Sequence, residues 1–251
     1  MNGRLIVRAL SMLLFVLALA DLGYGRPALA QTAQPAASPA VADVRQIVTE
    51  ARKEIESYTT AGGAAGAADH PAIKWHAALW EVHQRSPQSE AGAMAAAEAI
   101  RLLSRAGLWD RAHERVESLG FDDAAWERVP AAIYEEGVGR KDLAYTVEKL
   151  SQAAASTTSA PIRAAALLVL GRAQRRLGDN TAATRTLEAA RSAAPGTPSA
   201  AQAEGLIYEI AYLSIGLPAP AISGKPRNGR HVVDLAAFRG KPIVLVFWAS
   251  T

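Results

Sequence analysis

The sequence contains no cysteine, so no disulfide, thiolate metal site or lipidated N-terminal cysteine contributes to this protein, and packing alone must hold it. Aromatic residues make up only 6%, which argues against a β-sandwich with its demand for Tyr, Val, Ile and Thr. Motifs of several enzyme classes are missing too. There is no Gly-rich phosphate loop ahead of a helix, no Gly-x-Ser-x-Gly and no His-Glu-x-x-His. No apolar run reaches membrane-spanning length: the longest near the N-terminus, Ala9 to Ala20, is broken by Asp21, whereas a span needs about 20 residues.

What is present in quantity is alanine, within a chain that is 50% hydrophobic. That composition favours closely packed helices and provides a sizeable core. The net charge of +3 is unevenly spread. Arg4, Arg8 and Arg26 against Asp21 make the first 30 residues basic, and Lys225, Arg227, Arg230, Arg239 and Lys241 against Asp234 do the same for 216–251. The body between them is slightly acidic with both signs interspersed, which excludes the basic stripe of a nucleic-acid binder.

Arg4 and Arg8, the run Ala9 to Ala20 and Ala28-Leu29-Ala30 follow the order of a cleavable secretory signal over residues 1–30, with the mature chain starting at Gln31. Ala18-Leu19-Ala20 offers a second cleavage site, and an uncleaved anchor is the alternative. Export, to the periplasm in a bacterium with two membranes, is the expected localisation, with no stable membrane span after cleavage. Residues 31–40 are Ala, Pro and polar, a flexible leader.

Periodicity then begins. Val41, Val44, Ile47, Val48, Ala51 and Ile55 form one apolar stripe of a helix opened by Ser38-Pro39. Asp69-His70-Pro71, Ser86-Pro87, Asp122, Ser159-Ala160-Pro161 and Thr197-Pro198 read as helix starts, and Gly107, Gly120, Gly178 and Gly216 as stops. The spacing predicts eight or nine helices across residues 41–214. Between Ala164 and Pro195, the small residues Gly171 and Ala183, the apolar Leu167, Leu170 and Leu187, and Gly178-Asp179 at a turn have a spacing that resembles the tetratricopeptide repeat. Gly107, Ala112, Val116 and Leu119 echo part of it, and generic helix-hairpin packing is the alternative. Small residues suit such a crossing because two helices approach closely only where neither carries a bulky side chain.

From Gly216 the pattern changes. Asn228-Gly229 predicts a hairpin turn between strands at about 220–224 and 230–234. Ile243 to Trp248 is apolar and rich in β-branched residues, as in a strand buried on both faces. Gly216, Pro218, Ala219, Pro220, Gly229, Arg230, Leu235, Phe238, Arg239, Gly240, Lys241, Phe247, Trp248, Ala249 and Ser250 together resemble the opening of TlpA-type thioredoxin-like thiol–disulfide oxidoreductases, and more distantly the alkyl hydroperoxide reductase/thiol-specific antioxidant group. Composition and helical periodicity predict a mainly α protein, and the resemblance adds the start of an α/β domain. A helical-hairpin repeat domain (41–214) would precede an incomplete thioredoxin-like α/β domain (216–251), of which only the β-hairpin and first core strand are present. In the family, Cys-x-x-Cys follows that strand at a helix N-terminus, where the dipole lowers the first thiol's pKa. The sequence stops before that motif, so no catalytic residue carries over. The resemblance implies protein thiols or disulfides as partners of the parent protein. A non-enzymatic scaffold binding a protein or peptide along its helical repeats is the alternative.

No catalytic, cofactor-binding or metal-ligating residue is assigned, and no cofactor is expected. His76 and His83, seven residues apart, are too distant on a helix for one metal ion and read as structural. His113 and His231 have no ligand-spaced neighbour, and His70 belongs to a helix start. Asp122-Asp123 and Glu135-Glu136 read as capping or solvated acids, and Trp75, Trp80, Trp109 and Trp126 as core or seam residues.

Overall fold

The computed structural model describes residues 39–218, 221, 223–224, 233–244 and 246. The predicted signal, residues 31–38 of the predicted leader and the Asn228-Gly229 turn lie outside them, whereas Pro39 and Ala40, the last two residues of that leader, belong to the first helix. The chain divides into a helical unit, Ala36–Ile215, and a second unit that includes Gly216–Thr251.

The described residues are mainly helical. In the helical unit they form α1 (Pro39–Thr60), α2 (Ala72–Arg85), α3 (Glu90–Arg105), α4 (Trp109–Glu117), α5 (Val129–Arg140), α6 (Ala144–Ser156), α7 (Ala160–Arg176), α8 (Asn180–Ala193) and α9 (Pro198–Tyr212), with a 3-10 turn at Ala124–Glu127 before α5. Side chains cap several starts. Ser89, Asp179 and Thr197 accept from the backbone N–H of Gly92, Ala182 and Ala200, and Ser159 reaches towards that of Ile162. Gly107 and Gly178, with φ of 76° and 88°, turn the chain between α3 and α4 and between α7 and α8.

Two predicted starts are displaced. Ser86 closes α2, and Ser89, three residues later, caps α3. Asp122 caps nothing next to it: its carboxylate accepts from Thr157 Oγ1 at 2.8 Å and from the Thr158 N–H at 2.7 Å, fastening the α6–α7 connection. Those bonds stabilise the ionised form and hold its pKa below the usual value, the Thr157 hydroxyl contributing most. Asp123 caps the 3-10 turn instead, accepting from the Ala125 N–H.

The odd-numbered helices lie side by side, α1 on α3, α3 on α5, α5 on α7 and α7 on α9. The even-numbered helices form a second layer behind them, α2, α6 and α8 each bridging its two odd neighbours and α4 packing on α3. The predicted α1 stripe faces inward, with Val41, Val44, Val48 and Ala51 buried. Trp126, carried in by the 3-10 turn, is fully buried and packs against Phe121. The α7–α8 hairpin crosses where the small residues predicted: a Cβ added to Gly171 would stand 2.7 Å from Leu187 Cγ and 3.4 Å from the Ala183 carbonyl oxygen. Among the described residues no helix is long and apolar enough to cross a membrane.

In the second unit, β1 (Ser223–Gly224) pairs antiparallel with β2 (Val233–Asp234), inside the two predicted strands. Asp234 caps the following 3-10 turn, Leu235–Phe238, through the Ala236 N–H. The expected core strand is not formed by its described residues: Ile243, Val244 and Val246 are exposed and belong to no strand. A strand exists only where a neighbour accepts its ladder, and the one described sheet consists of β1 and β2 alone.

Candidate binding groove

The helical period sets the site. Arg101, Ser104 and Arg105 fall at i, i+3 and i+4, on one face of α3, opposite Glu135, Glu136 and Arg140 of α5. Between them opens a cavity of about 530 Å³, also walled by Tyr134, Val138 and Trp109. A second hollow, of about 200 Å³, lies between α3 and Arg52, Ile55 and Glu56 of α1. Arg101 and Arg105 line both hollows.

The floor of the larger hollow is an acid. The Glu136 side chain is 4% exposed. It accepts from Ser104 Oγ at 2.7 Å and Arg140 Nη1 at 3.2 Å, and contacts His113 Nε2 at 2.7 Å. A buried carboxylate is tolerated only when so surrounded. His113 stacks on Tyr145 with ring centroids 3.7 Å apart, and Tyr145 donates to Glu117 at 3.2 Å. Burial first, and then the Glu117 charge, push the Tyr145 phenol well above its ordinary pKa, so it remains a neutral donor. The buried Lys149 ammonium donates to Glu117 at 2.7 Å and to Gln152 at 2.9 Å, which closes the network between α4 and α6.

The rim is built of paired charges and an aromatic ring. Arg101 and Arg105 both donate to Glu135 Oε2, at 3.2 and 3.1 Å. The Arg140 guanidinium lies 4.8 Å from the ring centroid of Trp109, which is 41% exposed. The Glu136 carboxylate stands between the two, one oxygen accepting from the Ser104 hydroxyl and the other meeting the His113 imidazole. No group of three or more metal-ligating side chains exists among the described residues.

The predicted structural residues are placed as follows. His76 and His83 are buried on α2. His83 Nε2 stands 3.4 Å from Asp123 Oδ2, and His70 Nδ1 accepts from the Ala72 N–H. Trp80 and Trp126 are core, but Trp109 is a rim residue. Glu136 departs most from expectation, being a buried hub and not a solvated acid. His231 lies outside the described residues. Sequence reasoning missed one available signal: Arg101–Glu135 and Arg175–Glu209 are both pairs 34 residues apart, joining successive odd helices.

His76 gives the fold a pH dependence. Arg115 Nη2 lies 3.4 Å from its Nε2, and its Nδ1 has no hydrogen bond. Burial first, then the charges of Arg115 and Arg111, hold its pKa below the ordinary 6.5. The unfolded chain takes up this proton at higher pH than the folded one. Its contribution to stability is therefore present above about 6.5 and lost as pH falls towards the folded value. Urea midpoints should drop between about pH 7.5 and 5.5 by more in the wild type than in His76→Gln; equal drops would remove His76 from the account.

No family model matches the chain, and no curated protein or solved structure matches it.

Proposed function

We propose that the chain belongs to an exported thioredoxin-like thiol–disulfide oxidoreductase whose helical hairpins, of tetratricopeptide type, form a scaffold that binds a protein or peptide. The redox half of this reading rests on the ordered motifs of residues 216–251, and the antiparallel β1–β2 pair within the expected hairpin supports it. It expects Cys-x-x-Cys in the coding sequence within about five residues after Thr251, where a helix N-terminus would lower the first thiol's pKa. The 251-residue chain itself should not reduce insulin, since it has no sulfur nucleophile.

For the described residues binding is the function best supported, and the hollow between α3 and α5 is the observation that carries it. Its walls combine guanidinium groups, which have several N–H donors each, with the exposed face of Trp109, a composition suited to a peptide that offers carboxylates or backbone carbonyls. The test is a peptide-library selection on the immobilised chain, followed by titration of selected peptides against Arg105→Glu and Trp109→Ala. Each substitution should weaken binding at least tenfold, about 1.4 kcal/mol. Selected peptides that bind both variants as well as the wild type would place the site elsewhere.

A further inference from the structure

Two glycines of α5, two positions apart, differ in what the fold asks of them. Gly137 is buried at the crossing with α6, where a Cβ would stand 2.5 Å from Thr146 Oγ1 and 2.8 Å from Leu143 Cδ2, so packing requires it. Gly139 is exposed, lies inside the helix without a left-handed φ, and would meet nothing within 4 Å if it carried a Cβ. A helical glycine that neither turns the chain nor admits another helix weakens the helix relative to alanine. The fold gives no reason for it.

Its place on the helix does. Ala132, Glu135, Glu136 and Gly139 fall at i, i+3, i+4 and i+7, and share the face of α5 that walls the α3–α5 hollow. The cavity of about 530 Å³ is within the size range of ligand pockets. Its charges are already matched: Arg101 faces Glu98 and Glu135, Arg105 faces Glu135, and Arg140 faces Glu136. Three guanidinium groups thus meet three carboxylates. What the hollow offers beyond them is volume, bounded by Trp109, Tyr134 and Val138.

We propose that Gly139 is a specificity-determining residue of this hollow, its missing Cβ leaving room for one large, uncharged apolar side chain of a bound peptide. The proposal rests on the reading of the hollow as a peptide site. An apolar side chain leaves the ion pairs in place, whereas a charged one would have to compete for a partner in one of them. The peptide's own carbonyls are received by guanidinium N–H groups, of which arginine has five; Arg105 uses a single nitrogen, Nη2, on Glu135.

Peptides selected from a random library on the immobilised full chain, then titrated against Gly139→Ala, Gly139→Leu and Arg105→Glu, test this. Both glycine variants should melt no lower than the wild type, because the position is open and alanine and leucine are better helix formers. Gly139→Leu should nevertheless weaken the selected peptides at least tenfold, and Gly139→Ala by less. Replacing the peptide's large apolar residue by alanine should cost at least tenfold on the wild type and little on Gly139→Leu, where the volume is already filled. Peptides that bind Gly139→Leu as tightly as the wild type but lose affinity for Arg105→Glu overturn the assignment of Gly139 and leave the hollow as the site. A melting temperature lowered by Gly139→Ala overturns it too, since the glycine would then serve the fold. Peptides indifferent to all three variants, or a selection that recovers none above the uncoated support, remove the hollow as a peptide site and this proposal with it.

Discussion

Replacing Glu136 by leucine should cost about 2–4 kcal/mol of folding stability, read from urea or thermal unfolding. The carboxylate is buried and is the common partner of Ser104, His113 and Arg140. Removing one member of a buried charged network typically costs about 3–5 kcal/mol, because the others are left unpaired in a low dielectric. His113 and Arg140 retain partial access to water, 23% and 33%, which places the expectation below the top of that range. Glu136→Gln keeps the shape and two acceptor lone pairs and should cost less than the leucine variant. A leucine variant within about 0.5 kcal/mol of wild type, the scatter of ordinary surface changes, would show that the floor of the α3–α5 hollow is not held by this acid.

Alanine placed at Gly171 and at Gly205 should act with opposite signs. At Gly171 the new methyl meets the fully buried Leu187, and overpacking of this kind costs about 1–3 kcal/mol. At Gly205 the methyl meets open space. There the helix gains the difference in propensity between alanine and glycine, about 0.5–1 kcal/mol. The two variants should bracket the wild type. Equal effects would mean that the α7–α8 crossing is looser than its geometry.

The sequence made the helices legible because local signals carried them: the α1 stripe, the caps Ser159 and Thr197, the turn at Gly178 and the small residues of the α7–α8 crossing depend only on neighbours a few positions away. The displaced α3 start shows the limit. Ser86-Pro87 and Ser89-Glu90 both have the chemistry of a helix start, and the turn between them decided the matter. The α3–α5 hollow was not legible, because Glu136 reads as one acid of an exposed pair until α3 and α4 bring Ser104 and His113 to it across 32 and 23 residues. Trp109 was misassigned for a related reason. An aromatic at a helix start looks like core, and only the tertiary position of α5 turns it into a rim. Ile243, Val244 and Val246, the described residues of the expected C-terminal strand, differ again: their types suit a strand, but strand formation depends on partners that residue type does not specify.

The layered arrangement also grades how the helical unit comes apart. Leu168, Leu187, Ala190 and Ala203 form a small core of their own, separate from the large cluster that runs from α1 to α7. Helices that touch only their neighbours can be released from one end without disturbing the rest. The amide protons of α9 should therefore exchange with solvent through a shallow local opening, whereas those of α3, enclosed by α1, α2, α4 and α5, should await global unfolding. The hollow between α3 and α5 would then be built on the slow-exchanging part of the unit, and the exposed tyrosines of α9 would ride on the part that opens first.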